Sequence, residues 1–331
     1  MSFTWNDDNS PDEEAFATIR SAIDAGVNLL DAGQFYGPTS NAHANLKLVK
    51  RYFDQYPEDK EKVLLCVKGG VKIFGPGSYS EKGPMGMGPL TDRDALRETI
   101  QQIRDELGSD KGGKDIDMWE PARFPPKVDV GEMVQTYIAL RDEGLFKDLS
   151  LSEVSGKTIE AAVSASKNSI SAVEIEYSPF CLEAEEQGVL AACEKHRIPI
   201  LAYSPVGKGF LTGSLKSRAD LPAGDPRLHQ ERFDEENFQH NVDLANKLTS
   251  LAQKKGVTPS QLTLAWILQR SPVLTVIPGT RRAHRSKENA EASHVKLSEQ
   301  EVKEIDDVLA SFQPKGGRYS AVARAHQNLW A

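Results

Sequence analysis

The sequence predicts an α/β protein, a (β/α)8 TIM barrel, on three observations. Short apolar runs alternate with longer helical stretches along the 331 residues, which is the pattern of parallel strands joined by helices. About eight strand-helix units follow one another without a repeat. The main alternative, a doubly wound sheet, usually carries a Gly-rich phosphate turn after its first strand, and the sequence lacks that spacing there. We therefore expect a single domain over 1–331, with a core at about 3–310 and a C-terminal loop segment at 311–331.

The predicted strands are short apolar runs bounded by turn residues. They cover 3–5, 27–30, 63–67, 116–119, 149–151, 172–176, 199–202 and 274–277. Long loops follow the third and the seventh of these strands, at 69–90 and at about 204–236. In a barrel both loops would stand at the C-terminal face, where active sites form.

Helix start and stop signals fill the gaps between the strands. Ser10 opens a predicted capping box, and the helix that follows stops at Gly26. Thr91 opens a helix that ends on Gly108, and Thr258 opens one that runs to position 270 with a proline in its first turn. Further helices are expected at 41–56, 130–143, 157–166, 183–195 and 285–292.

The composition is that of a soluble globular protein and argues against several classes of partner. Hydrophobic residues make up 39% and charged residues 27%, so a large core is available. The net charge of −8 argues against a nucleic-acid partner. No run approaches the roughly 18 apolar residues of a membrane span, the first residues do not resemble a signal peptide, and the cysteines suit reduced thiols. We therefore expect a cytoplasmic protein. The sequence has no CxxC or HExxH pattern, so we expect no metal site.

Three polar residues stand at or beside neighbouring strand ends. Asp31 closes the second predicted strand, Tyr36 lies on the loop that follows, and Lys68 ends the third. In a barrel these ends lie side by side, so the side chains are expected to converge over its mouth. A phenol has an unperturbed pKa of about 10, which a nearby ammonium lowers, while a carboxylate holds that ammonium charged and aimed. The set predicts Tyr36 as a general acid, although each residue taken alone also fits a structural role.

Four segments resemble the aldo-keto reductase superfamily. They are AGVNLLDAGQFYG at 25–37, EIEYSP at 174–179, ILAYSPVGKGFLTG at 200–213 and VIPGTRRAHRSKENAEA at 276–292. Together with the strand of Lys68, they follow the order of that family over most of the chain. The resemblance implies a (β/α)8 barrel that transfers a hydride from NADPH to a carbonyl, with Tyr36 as the acid and with Asp31 and Lys68 beside it.

One position departs from the family pattern. The histidine that ends the family's fourth strand falls on Ala122 in the stretch DMWEPAR, and Glu120 and Arg123 are the polar candidates nearby. Arg123 could orient a carbonyl or phenolate oxygen by hydrogen bonding, or it could form a surface ion pair. This ending and the FYGP turn resemble the fungal pyridoxal reductase branch, which implies NADPH-dependent reduction of pyridoxal to pyridoxine.

A basic segment after the last strand predicts a phosphate site. Helix N-termini favour phosphate, and Arg281, Arg282 and Arg285 would add guanidiniums for the 2′-phosphate that distinguishes NADPH from NADH. A solvated helix start is the alternative. By resemblance, the NADPH/NADP+ contacts are Ser152, Glu174, Tyr203, Ser204, Gly207, Leu211, Gly279, Thr280, Arg281, Arg285, Glu288 and Asn289. Tyr203 would stack on the nicotinamide ring.

Two carboxylates stand in the expected nicotinamide site where the family commonly has amides. Glu153 replaces an asparagine and Glu174 a glutamine. A carboxylate cannot donate a hydrogen bond to the carboxamide oxygen unless it is protonated. The C-terminal stretch GGRYSAVARAHQNLW is expected to line the substrate pocket nearby.

The sequence leaves three functions open. The first is reduction of a small aldehyde, with pyridoxal foremost, and the second is a broader aldehyde or ketone reductase. The third is an NADPH-binding regulatory subunit, against which the set of Asp31, Tyr36 and Lys68 argues because a pure binder needs no acid. A short-chain dehydrogenase is excluded, since its tyrosine and lysine stand one helical turn apart.

Overall fold

Seven parallel strands form one continuous sheet in the computed structural model of the chain, which describes residues 3–5, 10–73, 88–125, 128–319 and 329–330. The strands pair in the order in which they follow one another along the chain. They are β1 (Leu29–Gly33), β2 (Leu64–Gly69), β3 (Met118–Pro121), β4 (Asp148–Ser152), β5 (Ile170–Glu176), β6 (Ile200–Tyr203) and β7 (Leu274–Val276).

Helices connect the strands and pack beside the sheet. They are α1 (Asp12–Asp24), α2 (Ala44–Gln55), α3 (Arg93–Leu107), α4 (Val130–Asp142), α5 (Gly156–Ser166), α6 (Glu183–Glu186), α7 (Val189–His196), α8 (Glu235–Lys255), α9 (Pro259–Arg270), α10 (Ala283–Glu291) and α11 (Glu299–Ser311). The long connection after β6 contains short 3-10 turns, beginning with Gly207–Thr212. Most of the long loop after β2 lies at 74–87, outside the described residues.

The helix ends test the capping predictions. Thr258 caps α9 with a complete capping box, and Gly108 ends α3 in the left-handed conformation, so both predictions are confirmed. The start of α3 at Thr91 is wrong, because the side chain of Asp92 caps this helix. The capping box at Ser10 is wrong, because Pro11 precedes α1 and makes no side-chain cap. The Ser10 hydroxyl instead accepts a hydrogen bond from the Arg281 guanidinium, 2.8 Å away. The helix predicted at 183–195 is interrupted before α7 by a glycine with left-handed backbone.

The parallel pairing confirms the barrel-type α/β class, and it corrects one strand. β1 to β7 overlap the second to the eighth predicted strands. The first predicted strand, 3–5, is wrong, because these residues form a turn. The Phe3 carbonyl accepts a hydrogen bond from the Ser10 amide, and the Thr4 hydroxyl donates to the Tyr36 carbonyl at 2.5 Å. The polar groups of this segment therefore bond to a turn and a loop.

Two helices meet where that strand was expected. Within the described ranges no strand lies between β7 and β1, and α1 packs against α10 across this position. The Thr18 hydroxyl lies 3.3 Å from the carbonyl oxygen of Arg281, and the Ser21 hydroxyl donates to the Ala283 carbonyl at 2.9 Å. With the bond between Ser10 and Arg281, these contacts form what we call the seam.

Charged residues lie one level above an apolar layer inside the sheet. Cys66, Met118, Ala172 and Leu201 form a buried apolar cluster on neighbouring strands. Two positions further along the same four strands stand Lys68, Glu120, Glu174 and Tyr203. Side chains two apart on a strand point to the same face, so this second layer lies above the first, toward the carboxyl ends of the strands.

The described residues include neither a membrane-spanning helix nor a metal-binding cluster. None of their helices is both long and apolar enough to cross a bilayer. They contain no group of His, Cys, Asp and Glu side chains arranged to hold a metal ion. Cys66, Cys181 and Cys193 are buried and free. The cytoplasmic location and the domain limits stay predictions.

Candidate active site

A buried ammonium between carboxylates forms the centre of the site. Lys68 of β2 makes ion pairs with Glu120 of β3 and Glu174 of β5, and none of the three side chains is more than 6% exposed. Charges in such a place are poorly screened, so their attraction is strong. Burial disfavours the ammonium, yet the two carboxylates raise the pKa of Lys68 well above its ordinary value. Lys68 is therefore charged.

Asp31 of β1 belongs to the same cluster but has a different protonation state. Its Oδ1 is shielded from solvent and has no hydrogen-bond partner in the described residues. Burial, and after it the Glu174 carboxylate, raises the pKa of Asp31 to about 8 against the opposing charge of Lys68. Asp31 therefore carries a proton at neutral pH. The carboxylates in contact with Lys68 are Glu120 and Glu174, whereas the sequence led us to expect Asp31.

The Tyr36 phenol is buried beside this cluster. Its ring packs edge-on against Phe35 at 5.3 Å between centroids, and Trp5 lies 6.0 Å away. Burial, followed by the Asp31 carboxylate, which ionises before the phenol does, raises the pKa of Tyr36 well above its ordinary value. The expected lowering by Lys68 is present but smaller, so the phenol keeps its proton.

Gly33 allows the Tyr36 ring to lie against the end of β1. A Cβ atom at this position would lie 2.8 Å from three carbons of that ring, which is closer than side chains tolerate. The Gly33 amide donates to the Asn45 side chain of α2 at 3.0 Å, which holds the strand end in place. A glycine here sets where the phenol lies.

Ala122 occupies the position at which the resemblance places a histidine. It is buried in an apolar cluster with Phe35 and Tyr36, and its carbonyl accepts a hydrogen bond from the guanidinium of Arg123. Burial opposes the charge of Arg123, while Tyr319 and then Glu153 raise the pKa of that guanidinium. Arg123 thus lies toward the C-terminal segment, and its catalytic role stays a prediction.

Part of the C-terminal segment closes the site from the side of β4. Arg318 is 2% exposed and forms an ion pair with the fully buried carboxylate of Glu153. The Trp330 amide donates to the Glu153 carbonyl at 2.9 Å. Burial opposes ionisation of Glu153, but Arg318 and Arg123 outweigh it and lower the pKa of the carboxyl. Residues 320–328, which include much of the expected pocket-lining stretch, lie outside the described residues.

The expected nicotinamide side of the site is bonded to the same segment. The Tyr203 hydroxyl at the end of β6 lies 2.9 Å from the Tyr319 hydroxyl. The Lys208 ammonium, on the loop after β6, donates to the Arg318 carbonyl at 2.9 Å. Burial lowers the pKa of Lys208 from its ordinary value, because Glu176 compensates its charge only in part.

Sharp backbone turns follow two of these strand ends. Ser204 after β6 has a φ of 49°, and Glu153 after β4 has a φ of 55°. Left-handed backbone is costly for residues other than glycine and is often found at functional sites. The Gly207 amide donates to the Ser204 carbonyl at 2.9 Å, and both Gly207 and Leu211 are buried. These positions therefore lie together at the strand ends.

Ser152 and Glu174 present unused polar atoms to the same space. They are register partners at the carboxyl ends of β4 and β5. The Ser152 hydroxyl and Oε2 of Glu174 are buried and have no hydrogen-bond partner in the described part of the chain. An unsatisfied buried polar atom is expensive unless a ligand or water completes it.

The basic segment lies partly in the seam. Arg281 bonds to Ser10, and the Thr280 hydroxyl accepts a hydrogen bond from the Arg282 amide at 3.1 Å; Gly279 precedes them. Glu288 accepts a hydrogen bond from the Thr258 hydroxyl at 2.6 Å. On α10, the side chains of Arg285 and Asn289 form no hydrogen bond or ion pair with another described residue.

Sequence reasoning missed two sets of contacts. It named Glu120 only as a polar neighbour of Ala122, and it assigned no contacts to Arg318 or Tyr319. A signal was present, because Glu153 and Glu176 follow or end apolar strands and a buried carboxylate needs a cation. Which cation it would be could not be read from sequence spacing.

Comparison with known proteins gives consistent matches. A model described as the Aldo/keto reductase family matches residues 1–310. The aldo-keto reductase yakc of Schizosaccharomyces pombe, whose name includes NADP(+), is 34% identical over 312 residues, which are 94% of this chain and 86% of that protein. A probable pyridoxal reductase 2 of the same organism is 31% identical over 328 residues, 97% of this chain and 92% of that protein.

Among solved structures, a glycerol dehydrogenase from Gluconobacter oxydans has the same fold. Its TM-score is 0.77 at 22% sequence identity, and the match covers 93% of this chain and 89% of that chain. At this identity the likeness concerns the fold alone.

Proposed function

The chain belongs to the aldo/keto reductase family, and we propose that it reduces an aldehyde to a primary alcohol with NADPH, with pyridoxal as the first candidate substrate. The observation that carries the proposal is the meeting of Tyr36, Lys68 and Asp31 at adjacent strand ends. The relative named for NADP(+) supports the cofactor, and the relative named as a pyridoxal reductase supports the substrate.

The residues present fit NADPH at both ends of the expected site. Arg285 in the first turn of α10 and Asn289 in its last turn offer side chains without a described partner, to which a 2′-phosphate and an adenosine could bind. The buried Ser152 hydroxyl lacks a partner, which a carboxamide would supply. Tyr203 would face the nicotinamide ring. Glu174 is engaged with Lys68, so we assign it no donor role.

The protein's own part in the reaction is to deliver a proton. Bound NADPH supplies the hydride that reduces the aldehyde carbon. Tyr36 keeps its proton in the folded protein and donates it to the carbonyl oxygen as negative charge develops there. The charged ammonium of Lys68 stabilises the phenolate that remains. Aldehyde, NADPH and one proton thus become primary alcohol and NADP+.

Pyridoxal suits a site in which an alanine replaces the family histidine. Its own phenol and ring nitrogen polarise the aldehyde, so it depends less on a protein imidazole at the place of Ala122. A reductase of broader specificity would lack this preference and act equally on simple aldehydes. The two activities are therefore separated by the ratio of kcat/KM values for pyridoxal and for a panel of simple aldehydes.

The test follows NADPH absorbance after addition of pyridoxal or of each panel aldehyde, with Tyr36→Phe as the matched variant. We expect oxidation selective for pyridoxal in the wild type, at least a hundredfold loss of kcat in the variant, and nearly unchanged NADPH binding by fluorescence. Panel activity without pyridoxal activity would leave a general reductase. A variant that retains most of its rate would remove Tyr36 as the acid, and NADPH binding without turnover would indicate a regulatory subunit.

A further inference from the structure

Lys68 and Glu120 face each other on neighbouring strands. They are register partners on β2 and β3, so their side chains leave the same face of the sheet. The ammonium and the carboxylate form an ion pair, and Glu120 is 0% exposed. A carboxylate so deeply buried is tolerated only with a cation and hydrogen bonds around it. The pair is thus built into the sheet itself.

The second oxygen of Glu120 has partners of its own. Its Oε2 lies 3.3 Å from the Ser150 hydroxyl and 3.7 Å from the Cys66 thiol, both on neighbouring strands and both buried. Oε1 is the oxygen paired with Lys68. Because the two oxygens have different partners, the carboxylate is fixed in orientation. Glu174 completes the arrangement on the other side of the ammonium.

Ala122 lies two residues beyond Glu120, on the same strand face and beside the Tyr36 ring. An alanine has no group that can contact a phenol or a carbonyl by hydrogen bonding. The polar side chain of this strand is instead that of Glu120, two residues earlier, and it contacts Lys68. Where the family has a histidine, this chain has a series of interacting side chains in which Glu120 contacts Lys68 and Lys68 acts on Tyr36.

We propose that Glu120 is a positioning residue that holds the Lys68 ammonium beside the Tyr36 phenol. The proposal rests on the proposed function for its catalytic consequence, since Lys68 is useful there as the partner of a forming phenolate. Glu120 acts through Lys68 and touches neither substrate nor cofactor. Its loss would leave Lys68 with Glu174 alone and free to rotate away from the phenol.

The charges around Tyr36 set the direction of the pH effect. The titratable groups facing it are Asp31 of β1, Lys68 of β2, Glu120 of β3 and Glu174 of β5. Lys68 is the only one of the four that favours the phenolate, and its effect exceeds that of Glu120, so moving the ammonium away from the phenol makes the ionised form harder to reach. Since reduction needs the protonated phenol, the basic limb of the pH profile should move to higher pH.

The test compares Glu120→Gln with Asp59→Asn in the purified full chain. Asp59 is also fully buried and ion-paired, with Arg20 and Lys62, but its partners lie outside the site. For Glu120→Gln we expect kcat about tenfold lower, KM for aldehyde and NADPH affinity within about twofold of wild type, and a basic limb about one pH unit higher. Glu120→Asp should recover part of kcat, and Asp59→Asn should leave kcat and the profile unchanged.

A spectroscopic readout makes the test independent of turnover. Tyrosinate absorbance is titrated in wild type and in Glu120→Gln, each against its Tyr36→Phe counterpart. A higher midpoint for Tyr36 in Glu120→Gln supports the proposal, whereas a lower midpoint would show that Lys68 stays beside the phenol and would overturn it. An unchanged midpoint together with wild-type kcat would overturn it, as would losses of kcat and NADPH affinity equal to those of Asp59→Asn. If the wild type turns over no aldehyde, the proposed function fails while this titration still decides the role of Glu120.

Discussion

The hydroxyls of Tyr203 and Tyr319 lie 2.9 Å apart, which joins the end of β6 to the C-terminal segment. The neighbouring Arg318 is tied to Glu153 through its side chain and to Lys208 through its carbonyl. The ring on which we expect the nicotinamide to stack is therefore bonded to a residue more than a hundred positions away. Cofactor and C-terminal segment share one surface of the protein.

Replacing Arg318 by Met should lower the free energy of unfolding by about 3 kcal/mol, because the buried carboxylate of Glu153 would lose its main cation. Chemical denaturation measures the change. The double variant Glu153→Gln/Arg318→Met should recover most of the loss, since no unpaired charge remains. A single variant as stable as wild type would mean that Arg123 alone neutralises Glu153.

Arg285→Ala should weaken NADPH binding about ten- to a hundredfold and leave NADH binding nearly unchanged, because a charge-assisted hydrogen bond to a phosphate is worth about 1.5–3 kcal/mol. Dissociation constants for both nucleotides from fluorescence titration measure this. Lys287→Ala on the same helix, whose ammonium lies 3.9 Å from Glu291, is the matched control. Equal weakening of NADPH and NADH would refute a 2′-phosphate contact.

Gly33→Ala should reduce kcat by about a hundredfold while the protein still folds. The new methyl group would lie 2.8 Å from the Tyr36 ring, so the ring has to move, and displacement of a catalytic group by about 1 Å can reduce the rate by that factor. Steady-state kinetics gives kcat, and circular dichroism checks the fold. Gly88→Ala, at a position without left-handed backbone where a Cβ meets no atom within 4 Å, controls for the loss of a glycine. Wild-type activity in Gly33→Ala would show that the phenol does not depend on this contact.

Asp31→Asn should flatten the pH dependence of stability. The carboxyl has a pKa of about 8 in the folded protein and about 4 when unfolded, so the folded state binds the extra proton between these values. The contribution of Asp31 to the free energy of unfolding is then greatest below pH 4 and falls as pH rises toward 8, by at most about 1.4 kcal/mol per pH unit. The melting temperature of wild type relative to Asp31→Asn, measured from pH 5 to 9, should fall and then level off. A constant difference would mean that Asp31 is ionised throughout.

Regular elements were predictable where one local signal decides them. The apolar runs of β1 to β7, the end of α3 at Gly108 and the N-cap of α9 follow from hydrophobic pattern and from backbone preference, and the structure confirms them. The strand at 3–5 was not predictable in this way. Whether so short a run pairs with a neighbour depends on where Thr4 and Ser10 find partners, and those partners are distant in sequence.

The site was predictable as a set of positions but not as a set of pairs. Asp31, Tyr36 and Lys68 could be placed together because parallel strands end at the same edge. The choice of Glu120 and Glu174 over Asp31 as partners of Lys68 depends on register and side-chain reach across the barrel. The same holds for Arg318 and Glu153, which are separated by 165 positions.

The seam determines how the two ends of the sheet, β1 and β7, are held near each other. A strand ladder would join β7 to β1 by a row of backbone hydrogen bonds. Here the connection consists of side-chain contacts, made by three hydroxyls and the guanidinium of Arg281. Arg281 belongs to the seam and lies at the edge of the expected phosphate site. Binding of NADPH at that site would therefore stabilise the seam. NADPH would then stabilise the contact between α1 and α10. Amide exchange along β1 and β7 would slow as the nucleotide saturates the protein.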